Sequence, residues 1–286
     1  MRAVGSMTNL MATPPLACAV RGCGLALVRG GRAWTCARGH SYDVARSGYV
    51  NLLQPQDRKS PGAGDTREAV DARARLLEAG IGGTILEGFA DRAATLLADA
   101  DATVVDLGSG SGDALHAIAA RRRIAGIGID LSTAAADRAA RRFPEFSWIV
   151  ANADRRLPLL DQTVALVVSL HARRNPDECA RVLKPTGSLL VAIPAADDLI
   201  ELREAALGAR VERERADAVV QEHVRAFTLT DRISVRERHR LEPDALRDLL
   251  SGTYRGARTR PKTATLAAMD VTLAADFLIF ARSPTV

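Results

Sequence analysis

The chain has 286 residues, 47% of them hydrophobic, and carries a net charge of +5. This length and composition allow one large domain with a full core and a small additional module. The longest apolar runs, such as residues 164–170, are far shorter than the roughly 20 residues of a membrane-spanning helix. No stretch has the pattern of a signal peptide, so we expect a cytoplasmic protein without a membrane partner.

The positive charge is concentrated at the start of the chain. Residues 1–60 contain eight Arg or Lys against two Asp or Glu, whereas the remaining 226 residues contain 31 against 32. A basic module of this kind suits a partner that carries phosphate groups, as a nucleic acid does. The alternative interpretation is an ordinary solvated surface.

Three of the four cysteines lie in the first 40 residues, which favours a metal site over a disulfide framework. The spacings Cys18-x4-Cys23 and Cys36-x3-His40 supply three thiolates and one imidazole, a closed tetrahedral set that suits structural zinc. The alternative is two unrelated pairs of residues. Cys179 lies in a predicted helix and is expected to be an ordinary buried thiol.

Around these ligands the sequence predicts a small module at residues 16–53, preceded by a disordered leader at residues 1–15. Trp34, Leu25 and Leu27 are expected to form its core. Residues 54–66, rich in Pro, Gly and charge, predict a linker.

From residue 67 onward the pattern alternates between helices and apolar strands. Predicted helices cover residues 67–79, 85–100, 113–122, 133–142 and 176–183, with charged helices near 198–223. Predicted strands cover residues 103–108, 124–130, 147–152, 164–170, 187–194 and 271–282. Such alternation predicts an α/β fold with a mostly parallel sheet covered on both faces.

A glycine-rich turn follows the first of these strands. "VVDLGSGSGD" places Asp106 at the strand end, and Gly108, Gly110 and Gly112 before the next helix. Glycines let the backbone approach a ligand closely, and a helix N-terminus supplies free N–H groups. Asp130 ends the next strand, where a carboxylate can accept both hydroxyls of a ribose.

Together with "ANADRRLP" and the Lys184-Pro185 turn, this series resembles the class I S-adenosylmethionine-dependent methyltransferases, whose fold is a Rossmann-like, mostly parallel seven-stranded sheet. An NAD-type Rossmann oxidoreductase would instead carry G-x-G-x-x-G. The resemblance implies a methyltransferase domain at residues 67–286 and S-adenosylmethionine as cofactor. The cofactor-binding residues that it implies are Asp106, Gly108, Gly110, Ser111, Gly112, Asp130, Leu131, Asn152 and Ala153. For Asp106, a loop-stabilising acid is the alternative.

The stretch "CARGHSYDVARSGYVNLL", residues 36–53, is more specific than the glycine turn. Together with the cysteines, the methyltransferase core and "AFTL" at 226–229, it resembles the RlmA/TlrB family of 23S rRNA (guanine-N1)-methyltransferases. The resemblance covers nearly the whole chain. It implies methylation of guanine N1 in a 23S ribosomal RNA hairpin, a zinc module that reads RNA, a role in macrolide-type antibiotic resistance, and a homodimer.

The sequence departs from that family at several positions. The first cysteine pair has four intervening residues instead of two, and Gly80-Ile81-Gly82 replaces Gly-His-Tyr. "LHARRNP" puts His171 and Arg173 where the family has aromatic-Ala-Pro, and Asp198 replaces a histidine. These changes leave open two alternatives, a small-molecule methyltransferase and a non-catalytic RNA-binding relative.

By its position, His171 is the candidate catalytic residue in contact with the target base, because an unperturbed pKa near 6.5 permits proton exchange at neutral pH. The alternative is a partly buried residue that closes the pocket. Arg173 and Arg174 are expected to contact phosphate. Tyr42 and Tyr49 are expected either to stack on bases or to pack inside the zinc module.

Overall fold

The computed structural model describes residues 13–57, 64–252 and 267–283. Residues 1–12 of the predicted leader and residues 58–63 of the predicted linker lie outside the described residues. Within the described ranges, none of the helices combines the length and apolar character needed to cross a membrane.

The N-terminal module is a small antiparallel sheet of β1 (Leu27–Gly30), β2 (Ala33–Cys36) and β3 (Ser41–Asp43). Trp34 of β2 pairs with Tyr42 of β3. Trp34 and Leu27 are buried, as the sequence predicted, whereas Leu25 is 37% exposed and the expectation for it is wrong.

The main sheet contains eight strands among the described residues, in the order β10-β11-β9-β8-β5-β6-β7-β4. These strands are β4 (Val50–Asn51), β5 (Ala102–Leu107), β6 (Ile124–Asp130), β7 (Ser147–Val150), β8 (Val164–Leu170), β9 (Leu183–Pro194), β10 (Phe227–Leu241) and β11 (Met269–Arg282). The pairs from β4 to β9 are parallel, and β11 pairs antiparallel with both β9 and β10.

The helices are α1 (Arg67–Glu78), α2 (Gly83–Thr95), α3 (Asp113–Ala119), α4 (Thr133–Arg142), α5 (Pro176–Val182), α6 (Ile200–Leu207), α7 (Ala216–His223) and α8 (Pro243–Gly252). Side chains of Thr66, Ser132 and Asn175 accept backbone N–H groups at the starts of α1, α4 and α5. These caps satisfy donors that a helix leaves free at its N-terminus and so fix where each helix begins.

The α/β fold with a mostly parallel sheet is confirmed, and the part of the chain that the structure describes forms eight strands of this sheet, against the expected seven. The additional strand comes from the N-terminal segment, where Val50 and Asn51 pair with Ile149 and Val150 of β7. No crossover helix leads into β4, because the chain enters β4 directly from the zinc-binding module. The module and the main sheet are therefore joined by backbone hydrogen bonds.

The sequence analysis missed β10 and α8. Apolar and charged side chains alternate along β10, whose partly buried residues include Ile233 and Val235 while Arg236 and Arg238 are exposed. This two-residue period is the signal of a half-buried strand. The many charged residues of β10 obscured this period in the sequence. They are present because β10 is an edge strand with one solvated face.

Two apolar clusters cover opposite faces of the main sheet, as alternating strand residues require. One contains Val104 of β5 together with Leu76, Phe89 and Leu115 from helices α1, α2 and α3. The other contains Val105 and, from the N-terminal module, Leu16, Leu27, Trp34 and Leu52. The module thus packs on the sheet as part of a shared core.

Candidate functional site

The glycine turn between β5 and α3 has a backbone that only glycine adopts easily. Gly108, Gly110 and Gly112 have φ angles of +74°, +52° and +89°. A Cβ on Gly108 would lie 2.2 Å from the Cβ of Ala172, and one on Gly112 would lie 2.5 Å from the Trp148 ring. At Gly110 no atom of the described residues comes within 4 Å of such a Cβ. The turn is therefore packed at both ends and open in its middle, where a ligand can approach.

Asp106 presents a buried carboxyl group at the start of this turn. The residue is 2% exposed, and its Oδ1 atom has no hydrogen-bond partner among the described residues. Burial, reinforced by the charges of Asp130 and Asp113, raises the pKa of Asp106 to about 8. A buried acceptor without a partner is costly, so this atom suits a ligand that brings a donor or a positive charge.

Asp130 ties the turn to the end of β6. Its Oδ2 accepts the N–H of Gly110 at 2.8 Å, and its Oδ1 accepts the N–H of Ser132 at 2.7 Å. Burial raises the pKa of Asp130, although these two N–H groups act in the opposite direction. Each carboxylate oxygen keeps a second lone pair, which leaves acceptor capacity for ribose hydroxyls.

The predicted ribose side also contacts the end of the linker. A Cβ on Gly64, whose φ is +98°, would lie 3.0 Å from backbone atoms of both Leu131 and Ser132. The Ser132 hydroxyl donates to the carbonyl of Asp65 at 2.6 Å. The sequence analysis missed this role of Gly64 and Asp65, for which the glycine directly before an Asp-Thr helix start was the available signal.

Asn152 and Ala153 follow β7, next to the end of β6. Asn152 is buried, its amide Nδ2 donates to the carbonyl of Asp57 at 2.8 Å, and its Oδ1 accepts the N–H of Asp154 at 3.0 Å. Asp57 ends a short 3-10 turn at Pro55–Asp57. The Asn152 side chain therefore holds the N-terminal segment in place beside this predicted cofactor-binding position.

His171 follows β8 in a left-handed backbone conformation with φ +58°, and its N–H donates to the carbonyl of Ala192 at 2.9 Å. The residue keeps solvent-accessible surface. Desolvation of the ring by the protein around it, reinforced by the positive charge of Arg215, lowers the pKa of His171 to about 4. The imidazole therefore stays neutral across the neutral pH range and exchanges no proton there, unlike the group with a pKa near 6.5 on which the sequence prediction relied.

The two arginines after His171 have different environments. Arg174 Nε donates to the buried His223 at 3.1 Å and its Nη1 to the carbonyl of Ala172 at 3.0 Å, and burial lowers the pKa of Arg174. Two of the three guanidinium nitrogens of Arg174 are thus held by contacts within the protein, and its expected phosphate contact stays a prediction. Arg173 is exposed and lies 3.4 Å from the Asp154 carboxylate.

Asp198, which replaces a family histidine, lies in the turn after β9. Its Oδ1 accepts the N–H of Ala274 at 3.0 Å. Burial raises the pKa of Asp198 to about 6. This carboxylate therefore joins the turn after β9 to β11.

The structure brings together the four predicted metal ligands. Sγ of Cys18 and Sγ of Cys36 each lie 3.4 Å from Nδ1 of His40, and Sγ of Cys23 lies 3.9 Å from Sγ of Cys36. All four donor atoms lie within 4.8 Å of one another. Tetrahedral zinc, with bonds of about 2.0–2.3 Å, separates its donors by roughly 3.5–3.8 Å, so the donor set fits zinc.

Neighbouring groups prepare these ligands for a metal. Burial opposes ionisation of Cys36, but backbone hydrogen bonds from Arg38 and His40 lower the pKa of its thiol to about 6. The Tyr42 hydroxyl lies 3.2 Å from Sγ of Cys18 and accepts the N–H of Ala19 at 3.2 Å. Backbone N–H donors and an outer hydrogen-bonding side chain are typical of ligand shells that favour metal binding.

The remaining singled-out residues are buried or partly buried. Tyr42 is placed inside the module by its hydroxyl contacts, and Tyr49 is partly buried against the core that α1 to α3 share with the sheet. The structure thus favours packing over base stacking for both. Cys179 is fully buried in α5, and burial raises its pKa to about 12, which confirms an ordinary buried thiol.

Comparison with known proteins gives two matches along the chain. A family model described as "Methyltransferase domain" matches residues 104–187, and one described as "RlmA, N-terminal" matches residues 17–61. The first contains the glycine turn, and the second contains the four clustered metal ligands. The methyltransferase domain implies S-adenosylmethionine as cofactor, and the three-cysteine, one-histidine cluster implies zinc.

Solved structures support the fold. YcgJ from Bacillus subtilis superimposes with a TM-score of 0.51 at 15% identity, over 69% of this chain and 98% of that chain. A candidate methyltransferase from Bacillus halodurans gives 0.50 at 16% identity, over 68% and 99%. At these identities the likeness concerns the fold alone.

Sequence relatives are closer. A 23S rRNA (guanine(748)-N(1))-methyltransferase from Streptomyces fradiae is 38% identical over 228 residues, which cover 78% of this chain and 80% of that protein. A relative from Micromonospora griseorubida, provisionally named a 23S rRNA (guanine-N(1)-)-methyltransferase, is 40% identical over 185 residues, 60% of this chain and 62% of that protein. With both modules present, the chain belongs to the RlmA/TlrB family of 23S rRNA (guanine-N1)-methyltransferases.

Proposed function

We propose that this protein transfers the methyl group of S-adenosylmethionine to N1 of a guanine in a hairpin of 23S ribosomal RNA. One observation carries the proposal: a zinc module of the RlmA N-terminal type and a methyltransferase domain occur in one chain and share one sheet. The Streptomyces fradiae relative is named for this reaction.

The residues that would hold the cofactor lie at or just after the C-terminal ends of β5, β6 and β7. Asp106 would face the amino group of the cofactor, and the turn from Gly108 to Gly112, with Ser111, would contact its methionine part. Asp130 and Leu131 would contact its ribose. Asn152 and Ala153 would lie beside its adenine. The unpartnered Oδ1 of Asp106 and the open space at Gly110 support this placement. The cofactor supplies a methyl group on a positively charged sulfur.

The chain's task in the reaction is then alignment of the target nitrogen with that methyl group and exclusion of water. His171 would contact the target base. Because its pKa is about 4, the neutral imidazole would accept a hydrogen bond from the guanine N1–H and leave full proton removal to solvent. A base within a hairpin is reached when it is unpaired or extruded.

The zinc module would contact the RNA backbone. Arg21, Arg29, Arg32 and Arg38 are exposed on it, and Arg173 is exposed two residues after His171. Phosphate contacts of this kind weaken steeply as salt concentration rises.

Three further parts of the proposal follow from the proposed substrate and the family. Ribosomes are cytoplasmic, so the protein would act in the cytoplasm. Methylation of the hairpin would reduce the binding of macrolide-type antibiotics. The active form would be a homodimer, which light scattering of the purified protein tests directly.

Primer extension on 23S ribosomal RNA tests the main proposal, because a methyl group on guanine N1 blocks base pairing and stops the polymerase. RNA from cells that lack the gene is incubated with purified protein and S-adenosylmethionine. We expect one new stop in a hairpin, which a Gly110→Val variant does not produce. An unchanged pattern contradicts the proposal.

The same preparation separates the alternatives. Cofactor binding without salt-sensitive RNA binding would point to a small-molecule methyltransferase. RNA binding with no cofactor binding in calorimetry would point to a non-catalytic relative.

A further inference from the structure

The loop after β7, residues 151–160, carries the proposed adenine-side residues and is also bound by the chain that enters the zinc cluster. The N–H of Ala17 donates to the carbonyl of Pro158 at 2.9 Å, and the N–H of Leu160 donates to the carbonyl of Pro15 at 2.9 Å. Leu16 and Leu159 form an antiparallel bridge between these two bonds. The zinc ligand Cys18 directly follows this paired segment.

The chain that leaves the zinc cluster binds the same loop from its other end. After β4 has paired with β7, the N–H of Leu52 donates to the carbonyl of Val150 at 3.0 Å. Five residues later the carbonyl of Asp57 accepts the Asn152 amide at 2.8 Å. Both segments that flank the zinc cluster are therefore bonded to the loop.

Apolar side chains fill most of the space between the cluster and the loop. Leu16 and Leu52 are 1% exposed, and Leu157 and Leu159 are fully buried. A cavity of about 40 Å³ remains there, and its lining includes both Cys18 and Asn152. Close-packed contacts transmit displacement, so a loosened cluster cannot leave the loop unaffected.

We propose that zinc in the cluster holds the loop at residues 151–160 in its cofactor-binding conformation, so that zinc and S-adenosylmethionine bind cooperatively without RNA. Leu16 and Leu52 are positioning residues in this coupling. The inference rests on the proposed adenine-side role of Asn152 and Ala153. A small module of this kind depends on its metal for folding, so loss of zinc would loosen the segments that are bonded to the loop. The zinc module would thus support cofactor binding in addition to contacting RNA.

The coupling is reciprocal by thermodynamic necessity. If zinc raises the affinity for the cofactor by some factor, the cofactor raises the affinity for zinc by the same factor. A zinc module that only reads RNA would show neither effect.

The first experiment compares the zinc-loaded protein with the Cys23→Ser variant. S-adenosylhomocysteine, the reaction product, is titrated by calorimetry in the absence of RNA, and circular dichroism checks that the methyltransferase fold is retained. We expect the variant to bind at least about fivefold more weakly, the lower range of coupling between sites. The Val28→Ala variant, which truncates an exposed side chain of the same module, is expected to bind normally.

The second experiment leaves all four zinc ligands in place. Leu16→Ala should keep one zinc per chain and still weaken S-adenosylhomocysteine binding, whereas Leu16→Met should restore it. Competition with a chelator should show tighter zinc binding when S-adenosylhomocysteine is present. This second experiment tests the inference even if Cys23→Ser fails to fold, because it keeps all four zinc ligands.

The inference is overturned if S-adenosylhomocysteine leaves zinc affinity unchanged, or if Leu16→Ala binds S-adenosylhomocysteine normally. The two sets of experiments distinguish failure of this inference from failure of the proposed function. A protein that shows the coupling but produces no stop on ribosomal RNA would retain this inference and lose the RNA substrate.

Discussion

The N–H of Gly110 donates to the carboxylate of Asp130 at 2.8 Å, which joins the glycine turn after β5 to the acid that ends β6. The two residues are twenty positions apart in the sequence, and the parallel pairing of β5 with β6 places them together. One carboxylate thus shapes the turn and offers acceptors to a bound nucleoside. This double role makes Asp130 the residue whose loss should affect cofactor binding most directly.

We expect Asp130→Ala to weaken S-adenosylhomocysteine binding by about 10- to 100-fold, because hydrogen bonds to a charged acceptor contribute about 1.5–3 kcal/mol. Calorimetry at pH 7.5 measures this. Asp99→Asn, which removes a charge from an exposed carboxyl outside the site, is the matched control. Unchanged affinity in the Asp130 variant would contradict the ribose assignment.

Gly108→Ala and Gly110→Ala should differ in their effect on stability, because the turn is packed at Gly108 and open at Gly110. Both positions have positive φ and carry a similar backbone penalty of about 1 kcal/mol. Only the Gly108 Cβ would collide with Ala172. Chemical denaturation should therefore show a larger loss of stability for Gly108→Ala, by roughly 1–3 kcal/mol. Equal losses would show that the contact with Ala172 relaxes freely.

Asp106 should make the cofactor-free protein less stable as pH rises. Its pKa is about 8 in the folded chain, against about 3.9 in an unfolded chain. Between these values the folded state binds more protons, so this group lowers the free energy of unfolding as pH increases from 4 to 8. The Asp106→Asn variant should lack that component.

Urea unfolding of both proteins at pH 5 and pH 8 measures this effect. We expect the variant to gain stability relative to wild type at pH 8 while its cofactor affinity falls. A stability difference that is the same at both pH values would show that Asp106 titrates normally in the folded protein.

His171→Ala should lower the rate constant of methylation about three- to tenfold, the value of one neutral hydrogen bond, with cofactor affinity unchanged. Because the pKa of His171 is about 4, the wild-type rate should show no ionisation of this residue between pH 6 and 8. Single-turnover rates across that range provide the measurement. The result would instead identify His171 as a general base if the rate constant fell about 100-fold or more and the wild-type pH profile showed an ionisation near pH 6.5 that the variant lacked.

The site residues differ in how far the sequence could predict them. The glycine turn, Asp130 and the cysteine spacing are local patterns, and the structure places each set together. His171 and Arg174 were predicted by position alone, and their environments differ from expectation because their neighbours Arg215 and His223 lie more than 40 residues away in the chain. Burial and neighbouring charge are properties of the folded chain, and they set both pKa values.

The sequence by itself determined the α/β class, the methyltransferase domain and the zinc ligands, because strand alternation, glycine turns and donor types are encoded in neighbouring residues. Only the tertiary structure decided that the zinc module is built into the methyltransferase core. The bridge between Leu16 and Leu159 and the bond from Asn152 to Asp57 join distant segments. Such contacts exist because β4 completes the sheet edge and buries the module's apolar residues against it, and no local pattern in the chain specifies that packing.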